Sequence, residues 1–235
     1  MVAVVGLVAL IIGGLWAAAL GPFASHPQPL AVVPFPADEY PDEAERLPLS
    51  DVAALSSAPA ADGRTFTPDH LVDDDPVTAW RGDATALPEG TDQMVDLLLE
   101  EPAWVSELVV ANGDHRDAEA YGDSGRLQRV DLRFDGDLVV AATLLDRGRS
   151  EQVVRLDEPL LTTAVRLELV RSLPGVSHDD PALSAIELRG HPADEEHAAL
   201  ARERAEERPA ADAVTVTGSP RGTRLLPWSR ERQPS

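Results

Sequence analysis

The sequence predicts an all-β fold, a jelly-roll β-sandwich preceded by an N-terminal transmembrane helix. Three observations predict it. Over residues 51–192, short runs of alternating apolar and polar residues are separated by Gly, Pro, Asn and Asp, with no helical run between them. That pattern suits antiparallel strands in a sandwich better than a parallel sheet. Residues 71–80 (Leu-Val-Asp-Asp-Asp-Pro-Val-Thr-Ala-Trp) and 183–190 (Leu-Ser-Ala-Ile-Glu-Leu-Arg-Gly) frame this region, as the first and last segments of a jelly roll that meet. Residues 2–20 form an uncharged apolar run, and at about 1.5 Å per residue such a run nearly crosses a bilayer core.

Four segments follow in order. Residues 1–24 are read as a transmembrane helix or signal anchor. Residues 25–50 hold repeated prolines among acidic residues, which disfavour helix and sheet, so a semi-extended stalk is expected. Its acidic flank and the lack of Arg before Arg46 place the following domain outside the cell, on a single-pass membrane protein. Residues 51–192 are the sandwich, and 193–235 a charged, mostly disordered tail. Within that tail residues 193–208 suit a short helix whose apolar face is too weak to join the core, with Arg202 and Glu206 four apart.

Inside the sandwich the expected strands are residues 52–57, 93–99, 105–111, 127–134, 138–145, 153–156, 163–170 and 185–189. Glu101-Pro102 breaks the second from the third. Asn112-Gly113 closes the third, and Asp135-Gly136 turns the fourth into the fifth. Residues 127–134 put Val130, Leu132 and Phe134 on one face and Arg129, Asp131 and Arg133 on the other, as a half-exposed strand requires. Trp80 reads as core, whereas Trp104, beside Pro102, reads as an exposed turn residue.

Composition excludes several functions. The formal net charge of -21 would repel a phosphate backbone, so nucleic acid is not a partner. All 20 basic residues are Arg, and the absence of cysteine removes disulfides and thiolate metal sites. No Gly-x-Ser-x-Gly elbow, His-Glu-x-x-His helix or phosphate loop occurs. Neighbouring carboxylates such as Glu100-Glu101 are common in so acidic a chain and do not make an acid–base pair. The chain is therefore expected not to be an enzyme.

Several motifs then fall in one order: residues 73–80 (Asp-Asp-Asp-Pro-Val-Thr-Ala-Trp), Val95-Asp96-Leu97, Asn112-Gly113, residues 121–126 (Tyr-Gly-Asp-Ser-Gly-Arg), Gln152, Pro174-Gly175 and residues 184–188 (Ser-Ala-Ile-Glu-Leu). In that order they resemble the discoidin-type, galactose-binding-like domains, and more narrowly the discoidin-like domain attached to streptococcal NAD glycohydrolase. The resemblance covers about residues 71–190 and implies a binding role. It carries no NAD cleavage, because nothing in the sequence matches the accompanying enzymatic domain. Two positions depart from the family pattern: Asp74 stands where the first acidic loop usually has Gly, and Ala185 follows Ser184 where Glu is usual.

Two sites are expected. The resemblance implies a structural calcium ion at the acidic corner, for which Asp73, Asp75, Thr78 and Glu187 could supply oxygens. The same residues also suit a capped, solvated turn before Pro76. A sugar site needs a flat apolar face and charged or amide groups for the hydroxyls. In residues 114–126, His115, Arg116, Tyr121 and Arg126 could meet that need, and a solvated loop is the alternative. The expected partner is a glycan or cell-envelope polymer, with an envelope protein bound by a scaffold or sensor domain as the other reading.

Overall fold

The computed structural model describes residues 33–61, 63–87, 93–135, 138–207, 215–216 and 224–225. The predicted membrane segment and Gly136 lie outside the described residues. No described helix is long and apolar enough to cross a membrane.

The main body is all-β and antiparallel, in one eight-stranded sheet that folds over itself as a jelly roll. Its strands are β1 (Glu45–Arg46), β2 (Leu49–Ala54), β3 (Trp80–Arg81), β4 (Gln93–Asn112), β5 (Arg126–Phe134), β6 (Val139–Thr143), β7 (Gln152–Leu173) and β8 (Ala182–Pro192). The long strands β4 and β7 run through both layers. The first half of β4 pairs with β2 and with the second half of β7, beside which lie β5 and β6. The second half of β4 pairs with β8 and with the first half of β7. β1 and β3 each pair with β8.

Four expected strands thus merge into two. The predicted break at Pro102 is a register shift between Leu98 and Ala103 inside one strand. Proline cannot donate to a ladder, so the pairing slips there while the extended chain continues. Side chains from both halves of β4, among them Val95, Leu97, Val105, Leu108 and Val110, fill one core with Trp80, Leu127, Leu132, Phe134, Leu167 and Ile186. Trp80 is fully buried, as expected, and its indole donates to the Ser56 carbonyl at 3.2 Å.

Three expectations fail at one end of the sandwich. Trp104, expected exposed, has no exposed surface. Phe35 meets its ring edge-on at 5.3 Å, and His197 does so at 5.2 Å. The expected stalk is instead attached from Val33 onward. Val33, Phe35 and Tyr40 pack around Trp104, Leu47 is buried, and residues 45–54 supply two strands. Sparse apolar residues among prolines are enough here because one large indole receives Val33, Phe35 and Tyr40, while Leu47 joins the main core. The expected free helix forms as α2 (Glu195–Glu207), but it docks: Ala198 and Ala201 are buried, and Arg202 bonds Glu101 rather than Glu206. Small alanines let the helix approach the indole closely, which a count of large apolar residues does not register. In the tail, β9 (Thr215–Val216) and β10 (Arg224–Leu225) pair with each other where disorder was expected.

Candidate functional site

β8 is eleven residues long, so about 35 Å separates the Trp104 end from the opposite, loop-bearing end. There Asn112 ends β4 and staples the loop to β5. Its amide donates to the Leu127 carbonyl at 2.8 Å and accepts from the Leu127 N–H at 2.8 Å. Gly113 follows with φ of 107°, a left-handed backbone that favours glycine. The chain then turns into α1 (Ala118–Asp123), capped by Asp117, whose side chain accepts from the Ala120 N–H at 2.8 Å.

Between this loop and the segment before β3 lies a cleft of about 390 Å³, lined by Arg64, Phe66, Arg81, Asp114, Arg116 and Asp117 with the start of α1 and His178 at its margin. Trp80 points into the core, so the next residue on β3, Arg81, faces the cleft. Its guanidinium lies 4.1 Å over the Phe66 ring. Asp114 is buried; it accepts from the Arg116 N–H at 3.2 Å and lies 3.6 Å from the Arg116 guanidinium. Arg116 also lies 3.5 Å from Asp117. Burial, and then the neighbouring Asp117 charge, pushes the Asp114 carboxyl above the usual carboxylate range. Burial likewise draws Arg81 below its ordinary value, against the pull of Asp180, Asp114 and Asp83. A planar cation on an aromatic face, beside a desolvated carboxyl, offers donors and acceptors to a polyhydroxylated ligand.

Of the four residues expected to bind ligand, the structure brings three together and parts the fourth. His115, Tyr121 and Arg126 form a cluster next to the cleft. The His115 and Tyr121 rings are 5.9 Å apart, and Arg126 lies 5.2 Å over the Tyr121 ring. Their polar groups are engaged within the protein, apart from the buried Arg126 Nε. The Tyr121 hydroxyl donates to Asp146 at 2.5 Å, and Arg126 donates to the Ser124 carbonyl at 2.7 Å. A Cβ on Gly113 would sit 2.7 Å from the Tyr121 ring, so this ring lies against bare backbone. Burial and then the Asp146 hydrogen bond raise the Tyr121 phenol to about 12. Burial also lowers the His115 imidazole. Arg116, next in sequence to His115, turns into the cleft instead. The sequence reading missed Arg64, Phe66, Arg81 and Asp114. Arg64 and Phe66 sit between the expected strands 52–57 and 93–99, in a stretch given no element, but the alternation after Trp80 already sent Arg81 outward.

The acidic corner forms as expected in outline: β3 pairs with β8, and Arg46 reaches both Asp74 (2.7 Å) and Glu187 (3.9 Å). Its oxygens are engaged within the protein. Both Asp73 carboxylate oxygens accept from the Thr78 hydroxyl, at 3.0 and 2.9 Å, and Asp75 accepts from the Val77 N–H at 3.0 Å. Glu187 accepts from Arg189 at 2.5 Å. Among the described residues no group of three or more His, Asp or Glu side chains is placed to hold a metal ion. Asp74 adopts φ of 58°, so it keeps the left-handed backbone that a Gly at this position would supply.

Residues 45–189 match the NAD glycohydrolase translocation F5/8 type C domain family. The chain belongs to this family. Among solved structures, this F5/8 type C domain is similar to the family 32 carbohydrate-binding module of Clostridium perfringens NanJ in complex with galactose, at 12% identity over 63% of this chain and 99% of that one, with a TM-score of 0.45. It is also similar to an F5/8 type C domain from Bacteroides fragilis, at 13% identity over 65% of this chain and 100% of that one, TM-score 0.48. A third is the pair of family 32 domains of Clostridium perfringens ZmpB in complex with GalNAc, at 13% identity over 68% of this chain and 38% of that one, TM-score 0.49. Galactose and GalNAc are ligands of those proteins. No curated protein matches the chain.

Proposed function

We propose that this F5/8 type C domain is a non-catalytic binding module that holds a glycan or cell-envelope polymer in the cleft at its loop end. The observation that carries the reading is the Asp114 carboxyl, buried at the cleft beside Arg116 and facing Arg81 on its Phe66 floor. A desolvated carboxyl in a cleft is a cost to the folded state, and a ligand hydroxyl that donates to it recovers that cost. Among the described residues that line the cleft no nucleophile is paired with a base, which supports binding rather than catalysis. The proposal keeps the apolar N-terminal run as a membrane anchor and the domain outside the cell.

The test is a glycan array probed with the full chain and with Asp114→Asn. The variant keeps an oxygen for the Arg116 N–H but loses the charge. Loss of one charge-assisted hydrogen bond is expected to weaken a bound glycan about 10- to 100-fold, while the melting temperature stays level or rises because a buried charge is gone. Glycan binding that survives Asp114→Asn unchanged would remove the cleft as the site. Retention of an envelope protein with no glycan would favour the scaffold reading.

A further inference from the structure

The edges of the sheet differ in how they are guarded against further pairing. β2 begins after Pro48, slips register between Leu49 and Asp51, and carries the Asp51 charge. β1 and β3, beyond β8, are only two residues long each. The free side of β7 before Leu160 carries Arg155, Asp157, Glu158 and Pro159. β6 has no such guard. Its residues, Val-Val-Ala-Ala-Thr, include no charge and no proline, its register with β5 is unbroken, and among the described residues it pairs with β5 alone. A bare edge of this kind recruits another strand. Its free side can be read residue by residue. Leu144 donates to the Gln128 carbonyl and Phe134 to the Leu138 carbonyl, both at 2.9 Å, so by alternation Val140 and Ala142 bond β5 as well. Val139, Ala141 and Thr143 therefore turn their N–H and C=O groups away from the sheet, and all three are exposed. Charge says which strand fits. Residues 128–149 hold four Arg and four Asp, a neutral patch in a chain of net charge -21. Two copies of the chain repel over most of their surface and least here.

From this edge we infer that β6 is an interface between two copies of the chain, whose β6 strands pair antiparallel about a two-fold axis at Ala141. Ala141 then faces its own counterpart, and Val139 of one copy faces Thr143 of the other. The axis makes the contact self-complementary and closed, so it gives a dimer and not a filament. Roughly six backbone hydrogen bonds form, two for each facing pair, and the sheet runs on from one copy into the next. The side chains that meet on the outer face are small or β-branched and uncharged, so no like charges are opposed. An edge of five residues covers far less than the ~1,600 Å² of a standard interface, so the dimer is weak. Repulsion between two chains of net charge -21 makes it stronger as salt rises. The pairing does not depend on the cleft, but a dimer offers a repeating polymer two clefts at once.

The chain has no cysteine, so single introduced cysteines report which residues meet. Facing residues of an antiparallel pair lie about 5.5 Å apart at Cα, within reach of a disulfide, whereas positions four residues out of register are about 13 Å apart or more. Under mild oxidation of the full chain, Ala141→Cys is expected to give a linked dimer at least about tenfold faster than Val176→Cys, although Val176, in the loop before β8, is 86% exposed. Val139→Cys and Thr143→Cys should each link poorly alone and readily when mixed. Adding Ala141→Pro to that mixture should stop the linkage. The proline removes an outward N–H that bonds nothing in β5, so Tm should stay within about 4 °C. Ala141→Lys, which opposes like charges and leaves the backbone alone, should stop it too. Linkage of Ala141→Cys no faster than that of Val176→Cys overturns the interface. Val139→Cys linking to itself as fast as to Thr143→Cys overturns the two-fold pairing, and so does linkage that survives both Ala141→Pro and Ala141→Lys. Linkage that falls as salt rises would mean that ion pairs, not strand edges, join the copies, and overturns it as well.

Discussion

Two concave regions of this domain gather charge, and they use it differently. At the acidic corner, a groove of about 300 Å³, the charges close on one another. Asp73 holds Thr78, Arg46 spans Asp74 and Glu187, and Arg189 takes the other Glu187 oxygen. In the cleft of about 390 Å³ at the loop end, Asp114 is buried beside Arg116, and Arg64 and Arg81 act on it without an ion pair among the described residues. The corner has three consecutive aspartates and looked the better ion site in sequence. The difference teaches that charge density along a chain does not mark a site. What sets the cleft apart is a desolvated carboxyl, Asp114, facing an arginine stacked on an aromatic ring.

The sharpest way to separate the two regions is to move one wall of the cleft. The segment carrying His178 and Asp180 lies backbone to backbone against the end of α1: a Cβ on Gly125 would stand 2.5 Å from the Asp179 carbonyl oxygen and 2.6 Å from that of Asp180. Backbone atoms cannot swing aside as a side chain can. Gly125→Ala is therefore expected to cost about 1–3 kcal/mol, to lower Tm by roughly 3–10 °C, and to weaken ligand binding in the cleft by at least about tenfold. The corner, farther along β8, should keep its contacts. Unchanged melting and binding in Gly125→Ala would mean that this contact does not set the cleft.

Why the sequence revealed the sheet better than the site follows from what each depends on. Period-two patterning in residues 127–134 reports a local choice, which face of a strand is dry, and the structure keeps it in β5, whereas in β7 Arg166 is buried and bonds Asp96. The fusion of runs across Pro102 was not legible, because extended backbone can continue where pairing slips. Trp104 was misjudged for a non-local reason: its cover, Phe35 and Ala201, comes from segments about 70 and 97 residues away in sequence, each weak by itself. The cleft is non-local too. Arg64, Arg81 and Asp114 meet only because β3 pairs with β8 and Gly113 bonds to Ala182. Tyr121 and Arg126 were legible as neighbours in one loop, yet their mutual engagement with Asp146, which faces them from beyond β6, was not.

That engagement gives a second, smaller contrast, between the open cleft and the closed cluster beside it. The Tyr121 phenol should titrate near 12, above the ordinary 10, in an ultraviolet difference titration. Because the folded value is raised, the stabilisation is fully present below about pH 10 and is lost as pH climbs toward 12. Tyr121→Phe removes the hydroxyl that donates to Asp146, so the late phase should vanish while ligand affinity in the cleft stays within about twofold. A Tyr121→Phe protein that no longer binds would instead make this cluster part of the ligand surface, and the distinction between the two would collapse.

The smallest expected effect lies at the corner and is the most exacting. Arg46 and Asp74 are both substantially exposed, at 47% and 71% of their side chains, so their ion pair is worth up to about 1 kcal/mol. Arg46→Met should lower Tm by no more than about 4 °C. Calcium at millimolar concentration, or a chelator, should leave the melting of the unmodified protein where it is, since a ligand stabilises only the state that binds it. The guanidinium already supplies positive charge between Asp74 and Glu187, and a divalent cation would have to displace it and pull Asp73 from Thr78. Arg46→Met removes the first obstacle and leaves the second. If calcium then still fails to raise Tm, the Asp73–Thr78 contact excludes the ion unaided. If it raises Tm in that variant alone, Arg46 is the reason this corner stands without a metal.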